Sequence, residues 1–387
     1  MRIAYISENY QPSIAANSTQ TLQMAAALGA LGHKVEVLSP NHPSAVREAR
    51  FARLCEDYSL EPTFLLRYLP HLRLANGRFG GSFGLLATFL ARAENFDLVF
   101  TRNVRIASAA ARLGCRVVQE SHSPHGSAES ERQHKAALRL ARSPSLKRWV
   151  FISKRLMDLV REDVPIPGPL CVVAHDAVDL ARFSPGMARD EARAKLGLAL
   201  PRPLVVHSGH LYPGRGADLL VQVAQRLPQA DFVFVGGASH DIARIQAEAK
   251  KLKLSNVRLV GHLRLPDIPP YLFAANVLVM PYTSNTVTSD RKTHTIEYAS
   301  PMKLFEYMAA GRGIVATRFP AILEVLKDGT NARIVEADSV EALYNGILDL
   351  VSNPSASDLL GAQARADVSS HTWEGRARTI LQGLEIS

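Results

Sequence analysis

Cysteine is scarce in this sequence, with three residues in a chain of 387. Cys55, Cys115 and Cys171 lie far apart and form no C-x-x-C pair. A disulfide framework needs paired cysteines in an oxidising compartment, and a zinc knuckle needs closely spaced ones. The sequence therefore indicates neither, and we expect the three thiols to fill the core.

Long hydrophobic runs are also missing, because no stretch of about 18 apolar residues occurs anywhere in the chain. The first residues, MRIAYIS, enter an alternating strand without the basic lead and apolar region of a secretory signal. Hydrophobic residues make up 47% and charged residues 21%, which argues against disorder. We therefore expect a cytoplasmic globular protein without a membrane span.

Several ligand-binding signatures are absent as well. The turn after the first strand, SENYQPSIAANSTQ, contains no G-x-G-x-x-G, which weighs against an NAD enzyme. No G-x-x-x-x-G-K-[ST] element is present, which argues against a P-loop NTPase. No D-x-D pair ends a strand to hold a divalent cation. We expect neither a metal site nor a bound cofactor.

Short apolar strands alternate with longer helical patterns along most of the chain, as in RIAYIS, KVEVLSP and DLVFTR. This alternation predicts βαβ units and a parallel sheet. The pattern restarts after Pro185 and Pro201, which predicts two doubly wound α/β domains. We place them at 1–185, joined by a C-terminal helix at about 370–387, and at 186–369. Open α/β folds bind ligands at the carboxyl ends of their strands, so a ligand cleft is expected between the two domains.

Residues 45–92 interrupt the alternation. They are rich in Arg, Leu, Phe and Gly and show no clear period. We therefore predict helical excursions and loops over one end of the sheet rather than a further strand.

The formal net charge of +9 is unevenly distributed. Residues 1–190 hold 24 Lys and Arg against 17 Asp and Glu, whereas residues 191–387 hold 21 against 19. In the run ERQHKAALRLARSPSLKRW, Lys135, Arg139 and Arg142 recur at helical spacing and predict a basic face. Such a face suits an anionic membrane, and a purely solvated helix face is the alternative. The run lacks interleaved aromatic residues, which argues against nucleic acid.

Two helix starts near strand ends carry polar residues. The glycine-rich turn HSGHLYPGRGADLL, residues 207–220, is flanked by His210 and Arg215. Two potential cations beside a helix start predict an anion site. Asn17 and Ser18 stand at the start of the first helix, where they serve either as a cap or as donors to a ligand.

The stretch SPMKLFEYMAAG, residues 300–311, predicts a further helix start. Ser300 is a natural N-cap, and Pro301 suits the first helical position. Lys303 then stands in the first turn, where a cation is unfavourable unless an anion binds there. The alternative is a surface ion pair between Lys303 and Glu306, three positions apart.

Taken together, these segments resemble a known family. The resemblance is to the donor domain of the retaining glycosyltransferases of family 4, and it is carried by SGHLYPGRGADLL, FVFVGG and SPMKLFEYMAAGRGIVATRFPAILEVLKDG. It extends to ALGALGHKVEVLSP, VFISKRL, HDAVDLARFSP and SSHTWEGRA, the last resembling the final helix that packs on the first domain. The resemblance implies the GT-B fold and a nucleoside diphosphate sugar as the donor.

The resemblance also implies roles for individual residues. Glu306 matches the glutamate that binds the donor ribose, and Arg215 matches the basic residue that contacts the phosphates as the nucleotide leaves. His122, in VVQESHSPHG, resembles the active-site histidine that approaches the donor sugar. The other implied donor-binding positions are Asn17, His210, Leu263, Tyr298, Ser300, Met302, Lys303 and Leu304.

Two positions depart from the family pattern. Tyr298 stands where the family often has a second glutamate, and the nearest acid is Glu297. Ala16 and Asn17 replace the usual Gly-Gly of the first loop. The first departure concerns recognition of the sugar hydroxyls, and the second concerns contact with the diphosphate.

The expected activity is therefore retaining, metal-independent transfer of a sugar to a glycan, lipid-linked or small-molecule acceptor. Acceptor choice is expected in residues 45–92 and 121–145, and a lipid-linked acceptor would bring the protein to the inner face of the membrane. A nucleotide-sugar epimerase or a phosphorylase with the same fold is an alternative. A non-catalytic nucleotide-sugar-binding protein is an alternative of a different class.

Overall fold

A computed structural model of the chain describes residues 1–11, 13, 16–41, 48–70, 82–124, 131–198, 202–286 and 295–384. They fold as two compact units. The first unit comprises Met1–Asp176 and Trp373–Ser387, and the second comprises Ala177–Thr372.

Residues 177–185, which the sequence assigns to the first domain, lie in the second unit. Val178 forms a backbone bridge with Thr372. Phe183 is fully buried in the core of the second unit, with its ring 5.9 Å from that of Phe273. The contacts of this segment therefore place the change of unit at Asp176.

The first unit is built on one parallel sheet. Its strands are β1 (Arg2–Ile6), β2 (Lys34–Pro40), β3 (Phe64–Leu69), β4 (Leu98–Thr101), β5 (Val117–Ser121), β6 (Leu146–Phe151) and β7 (Cys171–Val173). Its first helices are α1 (Ala16–Ala30), α2 (Glu48–Tyr58), α3 (Ser82–Ala93), α4 (Val104–Arg112), α5 (Glu131–Ala141) and α6 (Lys154–Asp163). The described strands have the order β3-β2-β1-β4-β5-β6-β7.

The central strands of this sheet are buried because helices cover both of its faces. β5, VVQES, is buried along its whole length, including its polar end. Strands covered on both faces by crossover helices are more continuously apolar than strands with one wet face. The strand order reverses between β1 and β4, and the carboxyl ends at such a point form the usual ligand crevice of open α/β sheets.

β3 corrects the prediction for residues 45–92, which expected no further strand. It pairs in parallel with β2, from Val35 opposite Phe64 to Pro40 opposite Leu69. As an edge strand, FLLRYL is buried only at its two ends and therefore shows no period of two. Parts of the predicted segment, 42–47 and 71–81, lie outside the described residues.

The second unit repeats this plan. Its strands are β8 (Leu204–Ser208), β9 (Asp231–Val235), β10 (Val257–Gly261), β11 (Val277–Met280), β12 (Gly313–Thr317) and β13 (Arg333–Val335). Its helices are α7 (Arg189–Lys195), α8 (Ala217–Arg226), α9 (Ser239–Lys251), α10 (Pro269–Ala274), α11 (Met302–Ala310), α12 (Pro320–Leu323), α13 (Val340–Ser352) and α14 (Pro354–Asp367). Helix α15 (Trp373–Leu381) belongs to the first unit and packs against α1.

The described strands of the second sheet have the order β10-β9-β8-β11-β12-β13, with a reversal between β8 and β11. Every described pair of strands in both sheets is parallel, so the predicted doubly wound architecture is confirmed. Within the described ranges, no helix combines the length and apolar character needed to cross a bilayer. The same residues contain no cluster of three His, Cys, Asp or Glu side chains arranged to hold a metal.

Candidate functional site

The turn between β8 and α8 lies where the strand order of the second sheet reverses. Gly209, Gly214 and Gly216 have φ angles of +119°, +90° and +80°, which L side chains rarely adopt. A Cβ on Gly216 would lie 1.6 Å from the carbonyl oxygen of Pro281. Only glycine therefore allows this turn to pass so close to the end of β11.

Arg215, within this turn, is supported by two tyrosine rings. Its guanidinium carbon lies 4.9 Å from the ring centroid of Tyr212 and 5.2 Å from that of Tyr282. Nη2 also donates a hydrogen bond to the Tyr212 hydroxyl. Burial acts to lower the pKa of Arg215, but the two tyrosines raise it above its ordinary value. The guanidinium is therefore a charged group held in a defined position.

Lys303, in the first turn of α11, brings its ammonium group to the same turn. A Cβ on Gly209 would lie 2.7 Å from Nζ, and Nζ itself lies 5.2 Å from the centroid of the Tyr282 ring. Nζ is buried and donates to no acceptor among the described residues. Burial and, after it, the charge of Arg215 lower the pKa of Lys303 to about 7. A bound anion would neutralise the positive charge that these two side chains bring to one tyrosine ring.

The start of α11 differs by one residue from the predicted start. The helix begins at Met302, and Pro301, with ψ of 123°, occupies the N-cap position that Ser300 was predicted to hold. Pro301 is extended, and its carbonyl accepts a hydrogen bond of 2.9 Å from the N–H of Leu304. No side chain from the described residues caps the helix. Its first N–H groups, beside Lys303, therefore add to the anion site.

Glu306 pairs with an arginine that the sequence did not suggest. Its Oε1 accepts a hydrogen bond of 3.0 Å from Nη2 of Arg182, and the residue is 9% exposed. No described residue donates to Oε2. The surface pair between Lys303 and Glu306 does not occur among the described ion pairs, because Lys303 turns toward Gly209 instead. The only sequence signal for Arg182 is its place in HDAVDLARFSP, 124 positions from Glu306.

His210 is uncharged in this environment. Its ring centroid lies 5.3 Å from that of Tyr212. Burial and, after it, the charges of Arg215 and Lys303 lower the pKa of His210 to about 4. The prediction of two cations at this helix start is therefore corrected, since the second cation is Lys303 rather than His210.

The remaining donor-binding positions predicted in this unit are Leu263, Tyr298, Ser300, Met302 and Leu304. Leu304 and Tyr298 are 2% and 5% exposed, so both contribute mainly to packing. Leu263 packs against the core that includes Leu304. Met302 is the first residue of α11, where its N–H is one of the groups at the helix start. Residues 287–294, in the same connection, lie outside the described residues.

In the first unit, His122 follows β5 and contacts Glu120 within that strand. Nε2 of His122 is hydrogen-bonded to Oε1 of Glu120. Glu120 is fully buried, and its Oε2 accepts a hydrogen bond of 3.0 Å from Nη1 of Arg376 on α15. Arg376 also donates to the carbonyl oxygens of His175 and Ala174, at 2.8 and 3.2 Å. A buried ion pair therefore ties α15 to the carboxyl end of β5.

This network sets the protonation of His122. Burial and, after it, the charge of Arg102 lower the pKa of His122 to about 4. Burial acts to raise the pKa of Glu120, but the charge of Arg376 holds it well below its ordinary value. A carboxylate only accepts hydrogen bonds, so Nε2 of the neutral imidazole carries the hydrogen and Nδ1 is left as an acceptor. His122 therefore offers a lone pair rather than a positive charge to a ligand.

Asn17 lies within the first turn of α1 rather than before it. Neither Asn17 nor Ser18 is the N-cap that the sequence predicted, because α1 begins at Ala16. Ser18 donates its hydroxyl hydrogen to the side-chain oxygen of Gln11 instead. The backbone carbonyl of Asn17 accepts a hydrogen bond of 3.4 Å from Arg102. Oδ1 of Asn17 is buried and accepts no hydrogen bond from the described residues.

The sequence matches two family models. Residues 202–353 match the model described as Glycosyl transferases group 1. Residues 18–182 match the model described as Glycosyltransferase Family 4. The first match lies within the second unit, and the second covers most of the first unit.

Among curated proteins, the chain is 27% identical over 217 residues to the GDP-mannose-dependent monoacylated alpha-(1-6)-phosphatidylinositol monomannoside mannosyltransferase of Corynebacterium glutamicum. This match covers 53% of the chain and 54% of that protein. The chain is 26% identical over 218 residues to the D-inositol 3-phosphate glycosyltransferase of Mycolicibacterium paratuberculosis, covering 54% and 46%. The matched region thus spans about half the length of these curated relatives.

Among solved structures, the chain is similar to HepE of Anabaena in complex with UDP, with a TM-score of 0.77 over 99% of both chains and 16% identity. It is also similar to the sucrose-phosphate synthase of Thermosynechococcus elongatus, with a TM-score of 0.75 over 99% and 98% and 18% identity. At these identities the likeness shows the fold alone. The predicted GT-B fold class is confirmed.

Replacing Arg376 with alanine should destabilise the first unit, because it leaves the buried charge of Glu120 without a partner. Losing one member of a buried ion pair costs about 3–5 kcal/mol. The two tryptophans of the chain, Trp149 and Trp373, both lie in this unit, so their fluorescence during a urea titration reports its unfolding. Arg378→Ala, at an exposed position of the same helix, should change the free energy of unfolding by less than about 0.5 kcal/mol. Equal effects of the two substitutions would contradict the role of the ion pair.

Binding of pyrophosphate should be coupled to proton uptake by Lys303. Its pKa of about 7 in the free protein leaves it mostly neutral at about pH 8, and a bound anion raises that pKa. The affinity should therefore fall as the pH rises from about 7 to about 9, because each binding event must also bind a proton. Calorimetry in buffers of different ionisation enthalpy measures this uptake. Lys303→Met should abolish it and the exposed Lys327→Met should not, whereas unchanged uptake in Lys303→Met would assign the proton elsewhere.

Proposed function

Because the chain belongs to family 4 of the glycosyltransferases, we propose that it transfers a sugar from a nucleoside diphosphate sugar to an acceptor. The observation that carries this proposal is the buried Nζ of Lys303, which no described acceptor satisfies. Arg215 and the uncapped start of α11 lie beside it. A diphosphate is the part of such a donor that these positive groups suit.

In the proposed reaction, the bond between the anomeric carbon and the diphosphate oxygen breaks as an acceptor oxygen bonds to that carbon. The diphosphate leaves with the bonding electron pair and takes up the proton that the acceptor hydroxyl loses. Lys303 and Arg215 would stabilise the negative charge that develops on the leaving group, from positions fixed before the reaction. We propose that these two protein cations make a divalent metal unnecessary, and that configuration is retained as in the resembled family.

Glu306 and His122 are proposed to orient the donor. The free Oε2 of Glu306 would accept a hydrogen bond from a ribose hydroxyl, while Arg182 fixes the carboxylate through Oε1. The neutral imidazole of His122, held by Glu120, would accept a hydrogen bond from a sugar hydroxyl through Nδ1. Both roles are acceptor roles, which matches the donor hydroxyls that a sugar nucleotide presents.

The acceptor is proposed to be a glycan, a lipid-linked glycan or a small molecule. Two of the similar proteins are named for phosphatidylinositol monomannoside and for D-inositol 3-phosphate. The positive charge of the first half of the sequence supports an acceptor presented on an anionic membrane. We propose a cytoplasmic protein that makes peripheral contact with the inner face of a membrane.

A nucleotide-sugar-binding protein without transferase activity is the second candidate. It is favoured by Tyr298, which is 5% exposed and stands where the family often has a glutamate. A buried tyrosine cannot supply the carboxylate that would contact the sugar hydroxyls. Tight donor binding without turnover would support this candidate.

The first test is a thermal-shift screen with UDP, GDP, ADP and their common sugar conjugates, with and without magnesium. One nucleotide should raise the melting temperature, by about the same amount with and without magnesium, because only a ligand that binds the folded state stabilises it. Lys303→Met should reduce that shift. No shift with any nucleotide would overturn the proposed donor site, and a shift that requires magnesium would overturn its metal independence.

With the donor identified, Arg215→Ala should lower turnover by a factor of about 10² or more, as the loss of a charge partner in the transition state does. Arg215→Lys should recover much of the turnover, because it restores the positive charge. Arg226→Ala, on the opposite end of α8, is the matched control and should leave turnover unchanged. Release of the nucleoside diphosphate measures each rate. Unchanged turnover in Arg215→Ala would remove Arg215 from the mechanism.

A further inference from the structure

A groove of about 270 Å³ lies between α4 and α5 in the first unit. Its floor is made of small side chains, those of Ser108, Ala109 and Ala136. Small residues there let a ligand approach the two helices closely. The other lining residues are all cationic: Arg105, Arg112, Arg132, Lys135 and Arg139.

Four of the five cations stand at matching positions of the two helices, in two pairs. Both helices follow strands of one parallel sheet and therefore run in the same direction. Arg105 and Arg132 lie in the first turns of α4 and α5, and Arg112 and Arg139 follow them by seven positions each. Seven helical residues rise about 10 Å, so the two pairs are too far apart to serve one phosphate group. The arrangement suits a row of anionic groups.

The structure neutralises little of this charge. Glu131 pairs with Lys135, one turn away on α5, and it is the only carboxylate of the described residues that pairs with a groove cation. Arg105, Arg112 and Arg132 form no ion pair with any described residue. Arg139 donates to the backbone carbonyl of Lys135. Like charges collected on one surface without counter-charges attract an anionic partner.

The sequence predicted part of this surface. Lys135 and Arg139 belong to the predicted basic face and line the groove, whereas the predicted third member, Arg142, does not. The arginines of α4 were missed because they come from a separate helix, about 30 positions earlier in the chain.

Exposed apolar side chains lie on the same side of the sheet. α3 packs against α4, and the right-handed crossovers that connect β3 through to β6 place α3, α4 and α5 on one face. Leu85 and Phe89 of α3 are 64% and 62% exposed, and Leu113, at the end of α4, is 43% exposed. The aliphatic members of this set, Leu85 and Leu113, offer little to a soluble polyanion, whereas a bilayer accepts both them and the cations.

We propose that the outer surface of α3, α4 and α5 docks on an anionic membrane, with lipid phosphates occupying the groove between α4 and α5. This surface specifies where the peripheral membrane contact named under the proposed function would occur. The docking itself does not require that function, and only its biological purpose rests on it. The first turns of α4 and α5 lie at the carboxyl ends of the strands that precede them. Docking on this surface would therefore hold the carboxyl end of the first sheet near a lipid-borne acceptor.

Sedimentation with vesicles tests the docking surface directly. Vesicles of phosphatidylcholine with about one-third phosphatidylglycerol should bind the protein in about 0.05 M salt and release most of it in about 0.5 M salt. Phosphatidylcholine alone should bind little. The double variant Arg112→Glu/Arg139→Glu should lower the partition coefficient on the anionic vesicles at least about tenfold. The double variant Leu85→Ser/Phe89→Ser should also lower the partition coefficient on the anionic vesicles, and this decrease should persist when the salt concentration is raised.

The matched control changes net charge equally on the other face of the same sheet. Arg53 lies on α2, and Arg378 lies on α15, which packs against α1, and both are exposed. Arg53→Glu/Arg378→Glu should leave the partition coefficient within about threefold of the wild-type value. An equal loss with the groove variant and the control would overturn the proposal, because only overall charge would then matter.

Two further outcomes separate this proposal from its rivals. If the groove variant loses binding to a single-stranded oligonucleotide while the wild-type protein ignores anionic vesicles, the groove serves a soluble polyanion and the membrane proposal is overturned. The nucleotide-induced thermal shift should be the same in the groove variant and the wild type. Failure of the donor screen with intact vesicle binding would therefore reject the proposed function and leave the docking surface standing.

Discussion

The second unit brings two basic side chains together at one point, and Nζ of one of them, Lys303, donates to no described acceptor. Lys303 and Arg215 come from two different βα connections and converge on the ring of Tyr282. Bringing two cations together away from water is unfavourable, and burial and, after it, the charge of Arg215 lower the pKa of Lys303. Glycines in the first of these turns permit the approach, since a Cβ on Gly209 would collide with the ammonium group. A bound anion would relieve the repulsion, so the same two side chains that repel each other form the proposed binding site.

In the first unit, by contrast, the buried charge has a partner of opposite charge. Glu120 is fully buried, but Arg376 lies 3.0 Å from one oxygen, and Gln20 and His122 contact the other. A compensated pair of this kind fixes its neighbours in place and leaves no demand for an external ion. Burial alone therefore does not separate a binding group from a supporting one. The presence or absence of a partner of opposite charge does.

Local patterns were sufficient to predict the two doubly wound sheets and the first-turn position of Lys303. They failed where burial or partners depend on distant parts of the chain. β3 is an edge strand whose middle is not buried, so its sequence carries no strand period. The partners of Glu306 and Glu120 lie 124 and 256 positions away, and no spacing rule connects residues at such separations. The charge of His210 likewise depends first on its burial, which a sequence window around His210 does not show.

Glu120 and Arg376 are 256 positions apart in the sequence, and this separation constrains the order in which the first unit can fold. The chain leaves this unit at Asp176, forms the whole of the second unit, and returns at Trp373. Until α15 is in place, Glu120 lacks its ion-pair partner Arg376, and a buried carboxylate that loses such a partner shifts toward protonation. A protonated Glu120 would no longer require the hydrogen on Nε2 of His122, because it could donate as well as accept. The acceptor state of His122, early in the sequence, therefore depends on a helix that is made after the entire second unit.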